Sequence, residues 1–282
     1  MQPVRQLHPM MGNVLVPVGW VLLAMGLDLT LLPKRTDEFF SWAIRPPITA
    51  GAIGAFYVTG FLLVFMAIRR RVWARARALV PAGVVFSALA LVATALHLGK
   101  FAFDSPHPVA VAIAWEWVLS YAIVPVLLLV ALGPQRRLPG VDPRTGRPPR
   151  WVTGSLGVAG AILVGTAVAL FVAPGKMGEV WPWALTPLTS RVLGAWSAGF
   201  GIAFLWAAWE NDRFRAAPFT ATLAFIGSFQ LLTAIRFGDQ VSWGRPGARI
   251  YVGVLGAAAV AGGAGWARLR GATAPVAASA PP

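Results

Sequence analysis

Eight long apolar runs separated by short polar loops leave this chain few ways to fold: residues 14–32, 48–68, 78–98, 109–132, 153–173, 189–209, 217–236 and 250–267. Hydrocarbon about 30 Å thick is crossed by roughly 20 helical residues, and a backbone in lipid must satisfy its own polar groups, so each run is predicted as a transmembrane helix. Composition agrees, because 57% of the residues are hydrophobic and only 12% charged, more apolar surface than one water-soluble core takes in. The first run is followed by Pro33, Lys34 and Arg35 with no small-residue cleavage site, which argues for a retained helix and against a signal peptide. The expected fold class is all-α membrane, with eight transmembrane helices.

A net charge of +14 raises the question of nucleic acid, but the basic residues fall in short clusters between apolar runs and not on a hydrophilic domain. No nucleic-acid partner is expected. Counted on alternate sides, 15 basic residues lie with the termini and 8 lie opposite; cytoplasmic loops collect Lys and Arg, so both termini are predicted to be cytoplasmic. The dense clusters Arg69–Arg77 and Arg136–Arg150 are expected to lie against anionic lipid headgroups. The chain has no Cys and three His, which excludes disulfides, thiolate chemistry and Cys-based metal centres and leaves no basis for a metal or other cofactor. The opposite loops carry Phe39, Phe40, Trp42, Phe101, Phe103, Trp181, Trp183 and Trp243, read as an aromatic belt at headgroup level.

The chain also matches itself. Pro47, Ile48, Thr49 and Ile53, Gly54, Ala55, Phe56 fall on Pro187, Leu188, Thr189 and Leu193, Gly194, Ala195, Trp196 at a shift of 140, and Thr94, Ala95, Leu96, His97 fall on Thr233, Ala234, Ile235, Arg236 at a shift of 139. Such self-similarity predicts two four-helix repeats. Four being even, both enter from one side as parallel copies. Residues 1–132 form the first unit, 133–152 a basic Pro/Gly-rich cytoplasmic linker, 153–270 the second unit and 271–282 an unstructured tail. The Pro-Thr pairs Pro47/Thr49 and Pro187/Thr189 read as helix starts with Thr as cap.

Ionisable residues in hydrocarbon cost a few kcal/mol each by insertion scales and so mark function or tight pairing. Asp28, His97, Glu116, Arg191 and Arg236 meet that description. All fall in the half of the membrane away from the termini, acids in the first repeat and arginines in the second. They are expected to converge between the repeats in an outward-facing polar pocket whose deeper wall holds Ser120, Thr94, Gln230 and Thr233. The competing reading is that these charges only lock helices together.

No phosphate-binding loop and no His-Glu-x-x-His occurs. Three functions remain open: a carrier or binding protein for a small solute or lipid headgroup; a structural or accessory subunit with a membrane-protein partner or a second copy of itself; and a membrane-embedded enzyme or quinone-type redox site using Glu116 and His97 as acid and base. The segment Trp181-Pro182-Trp183-Ala184-Leu185-Thr186-Pro187-Leu188-Thr189-Ser190-Arg191, with Gly194-Ala195-Trp196 after it, resembles stretches of uncharacterised bacterial multi-pass integral membrane proteins. That resemblance implies the inner membrane of a bacterium and carries no activity and no site residues.

Overall fold

A computed structural model of the chain describes residues 3–142 and 144–272. It is helical throughout, without a strand among these residues. Eight helices are long and apolar enough to cross a membrane: α1 (Pro9–Leu31), α2 (Pro47–Ile68), α3 (Leu79–Ala95, preceded by a helical turn at Trp73–Ala76), α4 (Pro108–Arg137), α5 (Arg150–Val172), α6 (Pro187–Glu210), α7 (Arg213–Arg236) and α8 (Pro246–Leu269). The protein is a polytopic helical membrane protein.

Local chemistry sets the helix ends. Pro stands in the first turn of α1, α2, α4, α6 and α8, where its missing N–H costs nothing. Helix α6 opens with a reciprocal cap in which the Thr186 hydroxyl receives the Thr189 N–H while the Thr189 hydroxyl receives the Thr186 N–H. Thr49 does not cap α2: its hydroxyl accepts the Trp183 indole N–H at 3.0 Å, and the free Ile48 N–H is taken by the Gln240 side chain at 3.0 Å. The expected linker is shorter at both ends, since α4 runs through Pro134 to Arg137 and α5 begins at Arg150. A Pro removes one helical donor and need not end a helix that packing and lipid support. Of the tail expected to be unstructured, residues 273–282 lie outside the described residues.

The eight helices differ sharply in enclosure. In the apolar core of α6, 72% of residues are buried, against 17% in α8. Helices α2, α3, α6 and α7 form the centre, with α3 against α6 and α7 against α2; α1, α4, α5 and α8 lie outside, α1 on α2, α5 on α6, α4 on α3 and α8 on α7. The closest pairings rest on bare backbone. A Cβ on Gly262 would stand 2.3 Å from the Ala224 nitrogen and one on Gly227 2.5 Å from the Ala259 nitrogen, so α7 and α8 touch main chain to main chain.

The N-terminus, the α2–α3 turn, the α4–α5 linker and the α6–α7 turn meet at one end of the bundle. Val4 bridges Val141, Gln6 bridges Val72, and the main-chain N–H of Arg213 donates to the Gly146 carbonyl at 3.0 Å. At the other end the belt reading needs correcting: Phe40, Trp42, Phe101 and Trp183 are buried, and only Trp243 among the tryptophans there is half-exposed. Trp42 packs edge-on to Trp117 with centroids 4.8 Å apart and Phe40 lies 4.9 Å from Trp42. The loop 32–46 folds inward and plugs the bundle, which loop position alone does not reveal.

Candidate functional site

A cavity of about 230 Å³ lies among α1, α2, α3, α4 and α6. Its polar groups come chiefly from α4, whose 3.6-residue period puts Glu116 and Ser120 on one stripe and Trp117 and Tyr121 on the next. The Ser120 hydroxyl donates to Glu116 Oε1 at 2.5 Å. Tyr57 of α2 reaches across to Tyr121, their hydroxyls 2.6 Å apart. Ser87 of α3 lies on the same cavity wall. Tyr57, Tyr121 and Ser87 are buried, whereas Glu116 and Ser120 are half-buried.

Everything else facing the cavity is apolar. On α1 the lining runs from Met25 back to Leu15, about 15 Å at 1.5 Å per residue. Leu79, Leu128 and Ala203 close the far end. Aromatic rings stiffen the wall: Trp196 lies 4.2 Å from Phe86 and 4.7 Å from Tyr57, and Tyr121 stands edge-on to Trp117 at 4.6 Å. The Trp117 indole N–H is held by the Thr94 hydroxyl at 2.8 Å, and that hydroxyl donates to the Ala90 carbonyl at 2.8 Å. The result is a narrow slot with a carboxyl, two serine hydroxyls and a tyrosine pair toward one end and hydrocarbon along its length.

Of the nine residues expected to share one pocket, only Glu116 and Ser120 line this cavity. Thr94 supports its wall through Trp117. Arg191 turns instead to the end of α3, where its Nη1 is 3.2 Å from His97 Nε2 while His97 Nδ1 is 2.9 Å from the Ala93 carbonyl. A guanidinium only donates, so Nε2 is the acceptor in this contact. Arg236 donates to the Thr30 carbonyl and lies 5.0 Å above the Phe237 ring. Gln230 is buried and spent on structure: its amide donates to the Ala52 carbonyl at 2.9 Å and accepts from the Tyr251 hydroxyl at 3.0 Å. Thr233 bonds back to Phe229 at 2.9 Å within α7. Asp28 has a buried carboxylate oxygen with no hydrogen-bond partner among the described residues, and so does the Thr30 hydroxyl.

No ion pair within 4.0 Å joins Asp28 or Glu116 to Arg191 or Arg236 among the described residues. The opposite charges sit on different helix faces. Arg191 and Arg236 each project from a helix end, Arg191 to the His97 ring and Arg236 to the Thr30 carbonyl of α1, and neither pairs with Asp28 or Glu116.

Two groups escaped the sequence reading. A neutral phenol in an apolar helix carries no charge signal, so the sequence does not mark Tyr57 and Tyr121; they meet only once α2 and α4 stand across the cavity from each other. At the opposite end, Glu210 is buried between Arg77 and Arg215, with Arg215 Nη1 at 3.4 Å, and Arg77 also holds Asp142 at 3.1 Å. Asp212 caps α7 by accepting the Phe214 and Arg215 N–H groups at 3.1 and 3.2 Å, while its other oxygen takes the Thr145 N–H at 2.7 Å. The sequence Glu-Asn-Asp-Arg between two apolar runs is the available signal for that knot. In the loop after α1, the Arg35 hydrogen bond holds the Glu38 carboxyl below its ordinary range.

Compared with protein-family models, with curated proteins and with solved structures, the chain matches none.

Proposed function

We propose that this membrane protein binds a lipophilic ligand in the α1–α4 and α6 cavity, with a hydrogen-bonding head against Glu116 and Ser120 and an apolar tail along the slot. The observation that carries the reading is the uneven lining: polar groups gather toward one end and about 15 Å of wall is hydrocarbon. A small hydrophilic solute would leave most of that wall facing nothing it can bind. A ligand class with one polar end and a chain or ring system matches both parts.

The frame of this proposal is two parallel four-helix repeats with both termini in the cytoplasm of a bacterium. Several facts support a duplication. Exchanging α1–α4 with α5–α8 turns the α1–α2 pairing into α5–α6, α3–α4 into α7–α8 and α3–α6 into α7–α2. Pro46 or Thr186 precedes the Pro that opens α2 or α6, and short 3₁₀ turns follow α3 at Leu98–Lys100 and α7 at Gly238–Gln240, 140 residues apart. The Ala102 N–H bonds the Ser41 carbonyl at 2.8 Å just as Ser242 bonds Pro182 at 2.7 Å. Phe56 and Trp196, equivalent at the shift of 140, stack on each other with planes 11° apart. The arginine excess at the end bearing the N-terminus supports the orientation.

The test is chemical. Protein purified in mild detergent is extracted with organic solvent, and the extract is analysed by mass spectrometry. A lipophile near one per chain is expected from the native protein, lost in Val124→Trp, which fills the slot, reduced in Glu116→Gln, and kept in Val260→Trp on the exposed face of α8. Absence of any component sensitive to Val124→Trp overturns the reading. The accessory-subunit reading then stands, favoured by the fully bonded Gln230 and His97, and requires co-purification of a partner.

A further inference from the structure

We propose that a second, separate site on the outside of α1 and α2 holds one anionic phospholipid, its phosphate at Arg69 and Arg71. A groove of about 830 Å³ runs between these helices at the end that carries the N-terminus. Its floor is apolar, with Trp20, Phe61 and Phe65 along it, and its head is polar, with His8, Asn13, Arg69 and Arg71. Apolar floor and cationic head in that order are what a lipid tail and its phosphate require at a membrane surface.

Charge singles out the occupant. The acids at this end are Asp142, Glu210 and Asp212, and they are engaged by Arg5, Arg77, Arg215 and the start of α7. Arg69 and Arg71 are exposed and form neither an ion pair nor a side-chain hydrogen bond with any described residue. Two unpaired guanidiniums beside a helix start attract an anion.

The backbone is arranged to hold them there. Arg71 adopts φ of +52°, a left-handed turn uncommon for a residue with a side chain, and its carbonyl accepts the Leu7 N–H at 2.6 Å. That bond ties the start of α1 beside the arginines. Pro17 within α1 has no N–H, so the Asn13 carbonyl loses its helical donor on the groove side and offers an acceptor to a headgroup hydroxyl. Phosphatidylglycerol has both the phosphate and the hydroxyls. Leu15, Pro17 and Val64 line both this groove and the inner cavity, so the two sites are separated by one layer of side chains.

Native mass spectrometry of the full chain in detergent, titrated with phosphatidylglycerol and with phosphatidylcholine of the same acyl chains, tests the proposal. The native protein is expected to retain one phosphatidylglycerol at least fivefold more strongly than phosphatidylcholine, without competition from millimolar inorganic phosphate. The double variant Arg69→Gln/Arg71→Gln should lose that preference, and Arg136→Gln/Arg137→Gln should keep it. Gly12 lines the groove and has nothing within 4 Å of a Cβ, so Gly12→Trp fits the helix, fills the groove and should abolish retention with both arginines intact. Equal retention of the two lipids by the native protein, or binding unchanged in Gly12→Trp, overturns the site. Because Val124→Trp addresses the inner cavity and Gly12→Trp the outer groove, failure of either reading leaves the other legible.

Discussion

Glu210 shows how differently one charged residue behaves when the bundle closes over it. Its carboxylate lies between Arg77 and Arg215 with almost no exposure, so neutralising it removes the acid the two arginines share and leaves Arg77 to Asp142 and Arg215 to Asp212. Removing one partner of a buried pair costs about 3–5 kcal/mol. Glu210→Gln is therefore expected to lower the unfolding midpoint strongly in detergent, and Arg77→Gln added to it should cost much less than Arg77→Gln alone, because the two share one interaction. Glu38 provides the contrast. Its carboxyl is held low by Arg35, so the pair contributes above the ordinary carboxylate range and fades as the pH falls through the lowered value. The pair lies at the surface, Arg35 exposed and Glu38 partly covered, and screening leaves it little weight: Glu38→Gln should give a thermal midpoint indistinguishable from the native one between pH 4 and 8. Inside the cavity the polar residues are bonded in two pairs, Ser120 to Glu116 and Tyr57 to Tyr121.

Among the helices, close approach of α7 and α8 sets a sharper condition than hydropathy does. A methyl at Gly262 would fall 2.3 Å from the Ala224 nitrogen, and the helices must separate to admit it. Overpacking of this kind costs roughly 1–3 kcal/mol, more than the gain of up to about 1 kcal/mol in helix propensity from Gly to Ala. Gly262→Ala is accordingly expected to lower the unfolding midpoint, whereas Gly253→Ala, with nothing within 4 Å, should leave it unchanged or raise it. Both lie on α8 and are the same substitution, so the difference isolates the contact. Helix α1 is the opposite case. Pro17 interrupts its bonding, and its face turned to α4 is largely given over to the cavity.

For the whole molecule, the side of the membrane on which each end lies is the statement most directly open to measurement. The chain has no Cys, so single cysteines report cleanly. With both termini in the cytoplasm, Ser105→Cys should react with a membrane-impermeant maleimide added outside intact cells, and Arg144→Cys should react only after the membrane is opened. The reverse pattern inverts the topology and places the phospholipid groove in the outer leaflet. The apolar core runs through both halves as one cluster, and the pairings of α3 with α6 and of α7 with α2 join residues 3–142 to residues 144–272.

Hydropathy made the eight helices legible because lipid requires long apolar segments whatever their neighbours are, and the same constraint exposed Glu116 and Ser120 as costly groups spaced one turn apart. Helix starts were legible too where Pro occupies the first turn. The partners of those groups were not. Arg191 choosing His97, Gln230 joining Ala52 to Tyr251, and Tyr57 meeting Tyr121 depend on the rotation of each helix about its axis, which an apolar run surrounded by lipid does not encode. The buried loop tryptophans and the knot around Glu210 have the same cause: burial of a loop or a charge is decided by what the other helices place over it. Composition and period determine that these segments cross the membrane, and only their packing decides which polar groups face a cavity, a neighbour or lipid.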